Sequence, residues 1–217
     1  MQAEIFMRRC FELAKLGIGK VAPNPLVGSV IVHNEKIIGE GYHELYGEAH
    51  AEVNAINSVI DKSLLPESTI YVNLEPCAHY GKTPPCADLI IDNKIPKVVI
   101  GCIDSYSEVA GKGIKRMKDA GIDVSVGLLE QESIELNKRF FTFHNKERPY
   151  VILKWAQTQN GFIDIKRENN QVGQFWISSK ETKQIVHLWR NEEAGILVGK
   201  NTVLNDNPEL TVREIVG

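Results

Sequence analysis

From residue 4 to residue 126, apolar side chains recur alternately at helical and at strand spacing, which restricts the chain to folds that stack helices on a sheet. Residues 4–16 place Ile5, Phe6, Cys10, Leu13 and Leu16 on one helical face and stop at Gly17, which can take the left-handed conformation favoured at a helix end. Residues 27–33 and 36–42 are rich in β-formers and are separated only by Asn34 and Glu35, so a two-residue turn closes them into an antiparallel hairpin. A second helical pattern begins at about His50 and runs through Val53, Ile56 and Ile60, before Pro66 forces a break ahead of a strand at 68–74. Pro84 and Pro85 precede a third helix at 86–93, where a missing amide hydrogen costs nothing. The pattern then predicts a buried strand at 98–103, a helix at 113–120 closed by Gly121, and a short strand at 123–126. Together these make a three-layer α/β/α domain with a mixed sheet over residues 1–145, bounded by the polar run 145–149.

Residues 149–217 offer strand candidates at 150–156 and 194–198 and a helix at 180–190. So few elements make a thin core, and this stretch reads as the incomplete N-terminal part of a second α/β domain. A net charge of −3 and a pI near 6.1 lack the positive field a polyanion binder needs, so a small molecule, not nucleic acid, is the expected partner. No apolar run is long enough to span a bilayer, and Glu4, Arg8 and Arg9 interrupt any signal-peptide core, so no membrane association and a cytoplasmic location are expected. Four cysteines are too sparse for a disulfide framework. The expected assembly is a homo-oligomer.

Two segments carry the chemistry: His50-Ala51-Glu52, and the run from Glu75-Pro76-Cys77 to Cys86. One imidazole and two thiolates suit zinc, and three protein ligands leave a fourth tetrahedral position for water, the mark of a catalytic ion. Because two thiolates cancel the formal charge of the ion, its pull on water is weakened and a nearby base becomes important. Glu52 is that base, taking a proton from water and returning it to a leaving amine. Residues two apart diverge on a regular helix, so His50 and Glu52 must sit at a helix start, as must Cys86 behind its prolines. Either motif alone is common by chance; their joint occurrence carries the argument. Cys10 and Cys102 sit in apolar patterns as core residues, and His33, His144 and His187 read as surface or packing histidines.

At these motifs the chain resembles the bifunctional deaminase/reductase family of riboflavin biosynthesis, whose N-terminal domain is cytidine deaminase-like. The resemblance rests on Pro23-Asn24-Pro25-Leu26-Val27-Gly28, Gly41-Tyr42-His43, His50-Ala51-Glu52, and the long Cys77-to-Cys86 spacing, where the general deaminase pattern has only two residues between its cysteines. It implies one catalytic zinc and deamination of 2,5-diamino-6-(5-phosphoribosylamino)pyrimidin-4(3H)-one to 5-amino-6-(5-phosphoribosylamino)uracil, followed by NADPH-dependent reduction of ribosyl to ribityl. It places Asn24, His43, His79 and Lys82 around the pyrimidine and its phosphoribosyl tail. Lys82 supplies a point charge for phosphate and Asn24 a donor and an acceptor for a base edge.

For residues 149–217 the resemblance implies the start of a dihydrofolate-reductase-like domain. Ala156, Trp176, Thr202 and Asp206 would meet NADPH, and Gln174, Arg190, Leu210 and Arg213 the phosphorylated substrate. Thr158, Gln159 and Asn160 depart from the family's Ser-Leu-Asp. The chain stops short of the family's usual length, so weak or absent reductase activity is expected. Two rival readings share the motifs. One is a nucleotide or tRNA deaminase, disfavoured by the acidic balance and the long insert; the other is a structural zinc clip, a kind of site that usually has four protein ligands and for which His79 could be the fourth.

Overall fold

The computed structural model describes residues 2–80, 84–105, 110–168 and 171–215. They divide into two compact units, Met1–Tyr150 and Val151–Gly217. The first begins with α1 (Gln2–Lys15), followed by β1 (Gly28–His33), β2 (Lys36–Tyr42), α2 (Ala51–Ser58), a 3-10 turn (Lys62–Glu67) and β3 (Thr69–Leu74). It continues through α3 (Cys86–Asp92), β4 (Lys97–Cys102), α4 (Lys112–Asp119), β5 (Asp123–Val126), α5 (Glu130–Leu136) and α6 (Lys138–Lys146). The sheet order is β2-β1-β3-β4-β5, with β1 antiparallel to both neighbours and β3, β4 and β5 parallel. This is the mixed α/β sheet that the alternating pattern predicts.

Successive strand residues point to opposite faces, and here both faces are covered. Ile31, Ile70, Val72, Val98 and Ile100 pack with Ala55, Ile56, Ala87, Ile90 and Met117 from α2, α3 and α4. Their neighbours Val30, Val32, Tyr71 and Val99 pack on the other side with Phe6, Met7, Cys10 and Phe11 of α1. Each fully buried aliphatic side chain contributes about 1.5–3 kcal/mol. The hairpin turn needs a left-handed backbone at both central positions, and Asn34 and Glu35 have φ of 46° and 62°. Gly41 lets α2 lie directly on β2: a Cβ there would stand 2.2 Å from the Ala55 amide nitrogen.

The structure corrects several boundaries. The second helix ends at Ser58, because Val59 turns into extended backbone (φ −65°, ψ 123°) to bury its side chain, leaving Ile60 99% exposed. The 3-10 turn around Pro66, capped by the Asp61 carboxylate on the Ser63 amide, replaces the expected simple break. Helices α5 and α6 lie beyond the elements that the sequence pattern predicts, and they cover the ends of β3 and β4 through Phe141 and Ile134 against Leu74 and Cys102.

The second unit contains α7 (Lys180–Glu192) and α8 (Lys200–Asp206). The strands expected at 150–156 and 194–198 do not form: among the described residues neither segment has a ladder partner, and Leu153 and Leu197 are 79% and 99% exposed. The unit is tied internally by Arg167, which donates to Asp164, Asp206 and the Gly173 carbonyl. Among the described residues no helix is long and apolar enough to cross a membrane.

Candidate functional site

The site forms where β3 ends and two helices begin. His50 is the N-cap of α2, with extended backbone (φ −73°, ψ 162°), so its ring leaves the helix direction while Glu52, within the first turn, points inward and is 3% exposed. That departure resolves the divergence of residues two apart. Cys77 follows the end of β3, and Cys86 opens α3 behind Pro85. His50 Nδ1 lies 3.5 Å from Cys77 Sγ and 3.3 Å from Cys86 Sγ, and the three ligand atoms fall within 4.8 Å of one another. A tetrahedral zinc with bonds of about 2.0–2.3 Å puts its donor atoms roughly 3.5 Å apart, so the donor set and its spacing fit the ion. The Cys86 amide donates to Cys77 Sγ at 3.3 Å, adding support for a thiolate.

The local electrostatics suit a proton-handling centre. Hydrogen bonds from Cys86 and His50 bring the Cys77 thiol down to about 4, whereas its contact with Cys77, reinforced by burial, pushes Cys86 up. The Cys77 sulfur holds the His50 imidazolium up to about 9. Burial raises the Glu52 carboxyl to about 7.

Two further expected residues converge here. His43 is 3% exposed, and its Nδ1 stands 3.0 Å from the Ala49 carbonyl, which can only accept. The proton therefore sits on Nδ1, and Nε2 accepts from Asn24 Nδ2 at 3.1 Å. The His43 ring meets the His50 ring edge-on at 5.6 Å. His79 lies exposed between the cysteines and outside the three-ligand group, so among the described residues the structural-clip reading lacks its fourth ligand. Lys82 falls outside the described residues. Cys10 and Cys102 are buried core thiols, His33 hydrogen-bonds Asn34, His144 packs on Phe140, and buried His187 accepts from the Arg213 amide.

One residue escaped the sequence reading. Glu75, 4% exposed, accepts from the amides of Gly111, Gly113, Ile114 and Asp104 at 2.9–3.4 Å, tying the segment before Cys77 to the start of α4. Only its place in Glu-Pro-Cys could have signalled it, because its partners lie 29–39 residues further on.

In the second unit Gln174, Trp176, Arg190, Leu210 and Arg213 line one concavity with Lys154, Lys183 and His187. Lys183 lies 5.1 Å over the Trp176 ring, Arg190 donates to the Thr211 carbonyl and Arg213 pairs with Glu209. Ala156, Thr202 and Asp206 do not line it; Asp206 accepts from Arg167 at 2.9 Å, and Thr202 is exposed on α8.

Residues 1–102 match the cytidine and deoxycytidylate deaminase zinc-binding region, and residues 149–217 match the RibD C-terminal domain. The riboflavin biosynthesis protein RibD of Aquifex aeolicus (strain VF5) is 45% identical over 208 residues, covering 96% of this chain and 57% of that protein. The diaminohydroxyphosphoribosylamino-pyrimidine deaminase of Buchnera aphidicola subsp. Schizaphis graminum (strain Sg) is 48% identical over 141 residues, 65% of this chain and 95% of that protein. A solved diaminohydroxyphosphoribosylaminopyrimidine deaminase/5-amino-6-(5-phosphoribosylamino)uracil reductase from Thermotoga maritima superposes with a TM-score of 0.88 at 45% identity, covering 98% of this chain and 59% of that one. The chain thus spans a little over half the length of the Aquifex aeolicus and Thermotoga maritima relatives.

Proposed function

The chain belongs to the RibD family of riboflavin-biosynthesis proteins, and from that premise we propose that its first unit is a zinc-dependent hydrolytic deaminase converting 2,5-diamino-6-(5-phosphoribosylamino)pyrimidin-4(3H)-one to 5-amino-6-(5-phosphoribosylamino)uracil. The observation that carries the reading is the convergence of one imidazole and two sulfurs beside a buried carboxyl. His50, Cys77 and Cys86 would hold the ion. When bound, it supplies Lewis acidity that makes water easier to deprotonate.

The chain's own residues then divide the work. Glu52, poised at about 7, takes a proton from the attacking water and delivers it to the departing amine, so that water adds, ammonia leaves and a ring carbonyl remains. His43, with its proton fixed on Nδ1, and Asn24, bonded to it, orient the pyrimidine. His79 and Lys82 serve the phosphoribosyl tail, with Lys82 as the phosphate charge.

For the second unit the proposal is the opening part of an NADPH-dependent reductase. Gln174, Arg190, Leu210 and Arg213 would face the phosphorylated substrate, and their shared concavity supports this. Ala156, Trp176, Thr202 and Asp206 would face NADPH. A cytoplasmic location, where Cys77 and Cys86 stay reduced, and assembly as a homo-oligomer complete the reading; light scattering checks the latter.

The deciding experiment follows zinc content and ammonia release with the diaminopyrimidine phosphate, cytidine, dCMP and tRNA in turn, and with NADPH oxidation recorded alongside. Release from the diaminopyrimidine alone is expected; release from cytidine alone refutes the assignment. Glu52→Gln should keep zinc and fold while turnover drops by at least roughly a hundredfold, the scale of a missing acid/base group.

A further inference from the structure

We propose that Asn137, at the junction of α5 and α6, is a positioning residue for the deaminase pocket, holding with Asn73 the loop at 23–28 in the shape that presents Asn24 to His43. This inference rests on the reading that Asn24 and His43 meet the pyrimidine. The loop joins α1 to β1, and Leu26 finds its backbone partners on side chains. Its N–H donates to Asn137 Oδ1 at 2.7 Å, while its carbonyl accepts from Asn137 Nδ2 at 2.9 Å and from Asn73 Nδ2 at 3.0 Å. Asn73 Oδ1 then accepts from the Gly28 N–H at 2.8 Å.

Both amides are buried, Asn73 at 0% and Asn137 at 4% exposure, and each is used as donor and acceptor at once. Burying an amide is costly unless both ends are satisfied, so such a pair selects one loop geometry over its neighbours. Asn137 is also the N-cap of α6, where an asparagine ordinarily spends its side chain on the helix amides. Here it makes no side-chain cap and reaches the loop instead. The same loop is tied to the other pocket residue, because the His43 N–H donates to the Val27 carbonyl at 2.9 Å. Displacing the loop therefore moves Asn24 and loosens His43 together, while the side-chain bonds of Asn137 and Asn73 that hold it end on Leu26 and Gly28 and not on His50, Cys77 or Cys86.

The test uses the full chain with zinc bound and the diaminopyrimidine phosphate as substrate. Asn137→Ala and Asn137→Asp are expected to raise KM about tenfold, the scale of one or two lost hydrogen bonds, with kcat within about threefold and zinc content unchanged. Asn24→Ala serves as the reference and should raise KM as well. If Asn24→Ala does so while both Asn137 variants keep the native KM, the clamp is wrong and the pocket reading survives. If Asn24→Ala leaves KM alone, the pocket reading fails and takes the clamp with it. A fall in kcat or in bound zinc that tracks the KM change would reduce Asn137 to a purely structural part and overturn the proposal. Should the variants fail to fold, hydrogen exchange in the unsubstituted protein decides: the Leu26 and Gly28 amides must exchange slowly despite lying at a loop and its exit, and open-loop rates overturn the clamp.

Discussion

Residues 98–102 read Val-Val-Ile-Gly-Cys and residues 194–198 read Ala-Gly-Ile-Leu-Val, two apolar runs of the same length with opposite fates. The first is central to β4, with parallel neighbours on both edges and helices on both faces, and Val98 and Ile100 are 0% exposed. The second forms no strand, and Leu197 is 99% exposed. Apolar side chains alone do not make a strand. The backbone N–H and C=O groups of such a run must be paired before its side chains can be buried, and among the described residues the strand pairing is supplied by the first unit alone.

The largest expected effect sharpens this contrast. Ile100→Ala removes buried methyl groups from a site walled by the sheet and its helices, and should cost about 2–5 kcal/mol in urea unfolding. Leu197→Ala should stay within about 0.5 kcal/mol. A loss at Leu197 rivalling that at Ile100 would mean that its run is buried in solution after all, and the comparison would break.

The second test asks whether the contrast extends to charge, since among the described residues the buried carboxyls, Glu52, Glu75 and Asp104, all lie in the first unit. The titration point of Glu52 rises from the ordinary 4.5 to about 7 on folding because burial disfavours the anion. The folded state therefore binds more protons than the unfolded state between these values, so stability falls as pH rises through that window. In protein stripped of zinc, Glu52→Gln should gain on the native chain by up to about 3 kcal/mol between pH 4.5 and 7, following the conversion of one pKa unit to 1.36 kcal/mol. A stability difference that stays flat with pH, measured by thermal melts, would show that Glu52 is not buried in this way.

What the sequence could disclose follows the same division. The hairpin was legible because its two runs leave only Asn34 and Glu35 between them, and the convergence of His50, Cys77 and Cys86 because their residue types are chemically narrow. Helices α5 and α6 were hidden because their buried positions are few, Ser133 on one and Phe141 on the other, amid charged residues that mask the period. The bonding of Glu75 and Asn137 was hidden for a different reason: their partners are backbone groups far away in the chain, and for Glu75 the Glu-Pro-Cys motif marks the position but not those partners. The false strands at 150–156 and 194–198 come from reading a run without its neighbours.

The smallest effect is expected at Ile60, where the lesson holds inside the first unit itself. Ile60 stands four residues after Ile56, so on a continued helix both would occupy one stripe, and Ile56 is indeed 3% exposed. The helix stops between them because Val59, itself 3% exposed, takes the core position in extended backbone and swings Ile60 into solvent. Ile60→Ser should therefore change unfolding free energy by less than about 0.5 kcal/mol, the range of surface substitutions away from caps and cores. A cost approaching that of Ile100→Ala in the same urea titration would place Ile60 in the stripe and extend α2 beyond Ser58, restoring the longer helix that the spacing alone predicts.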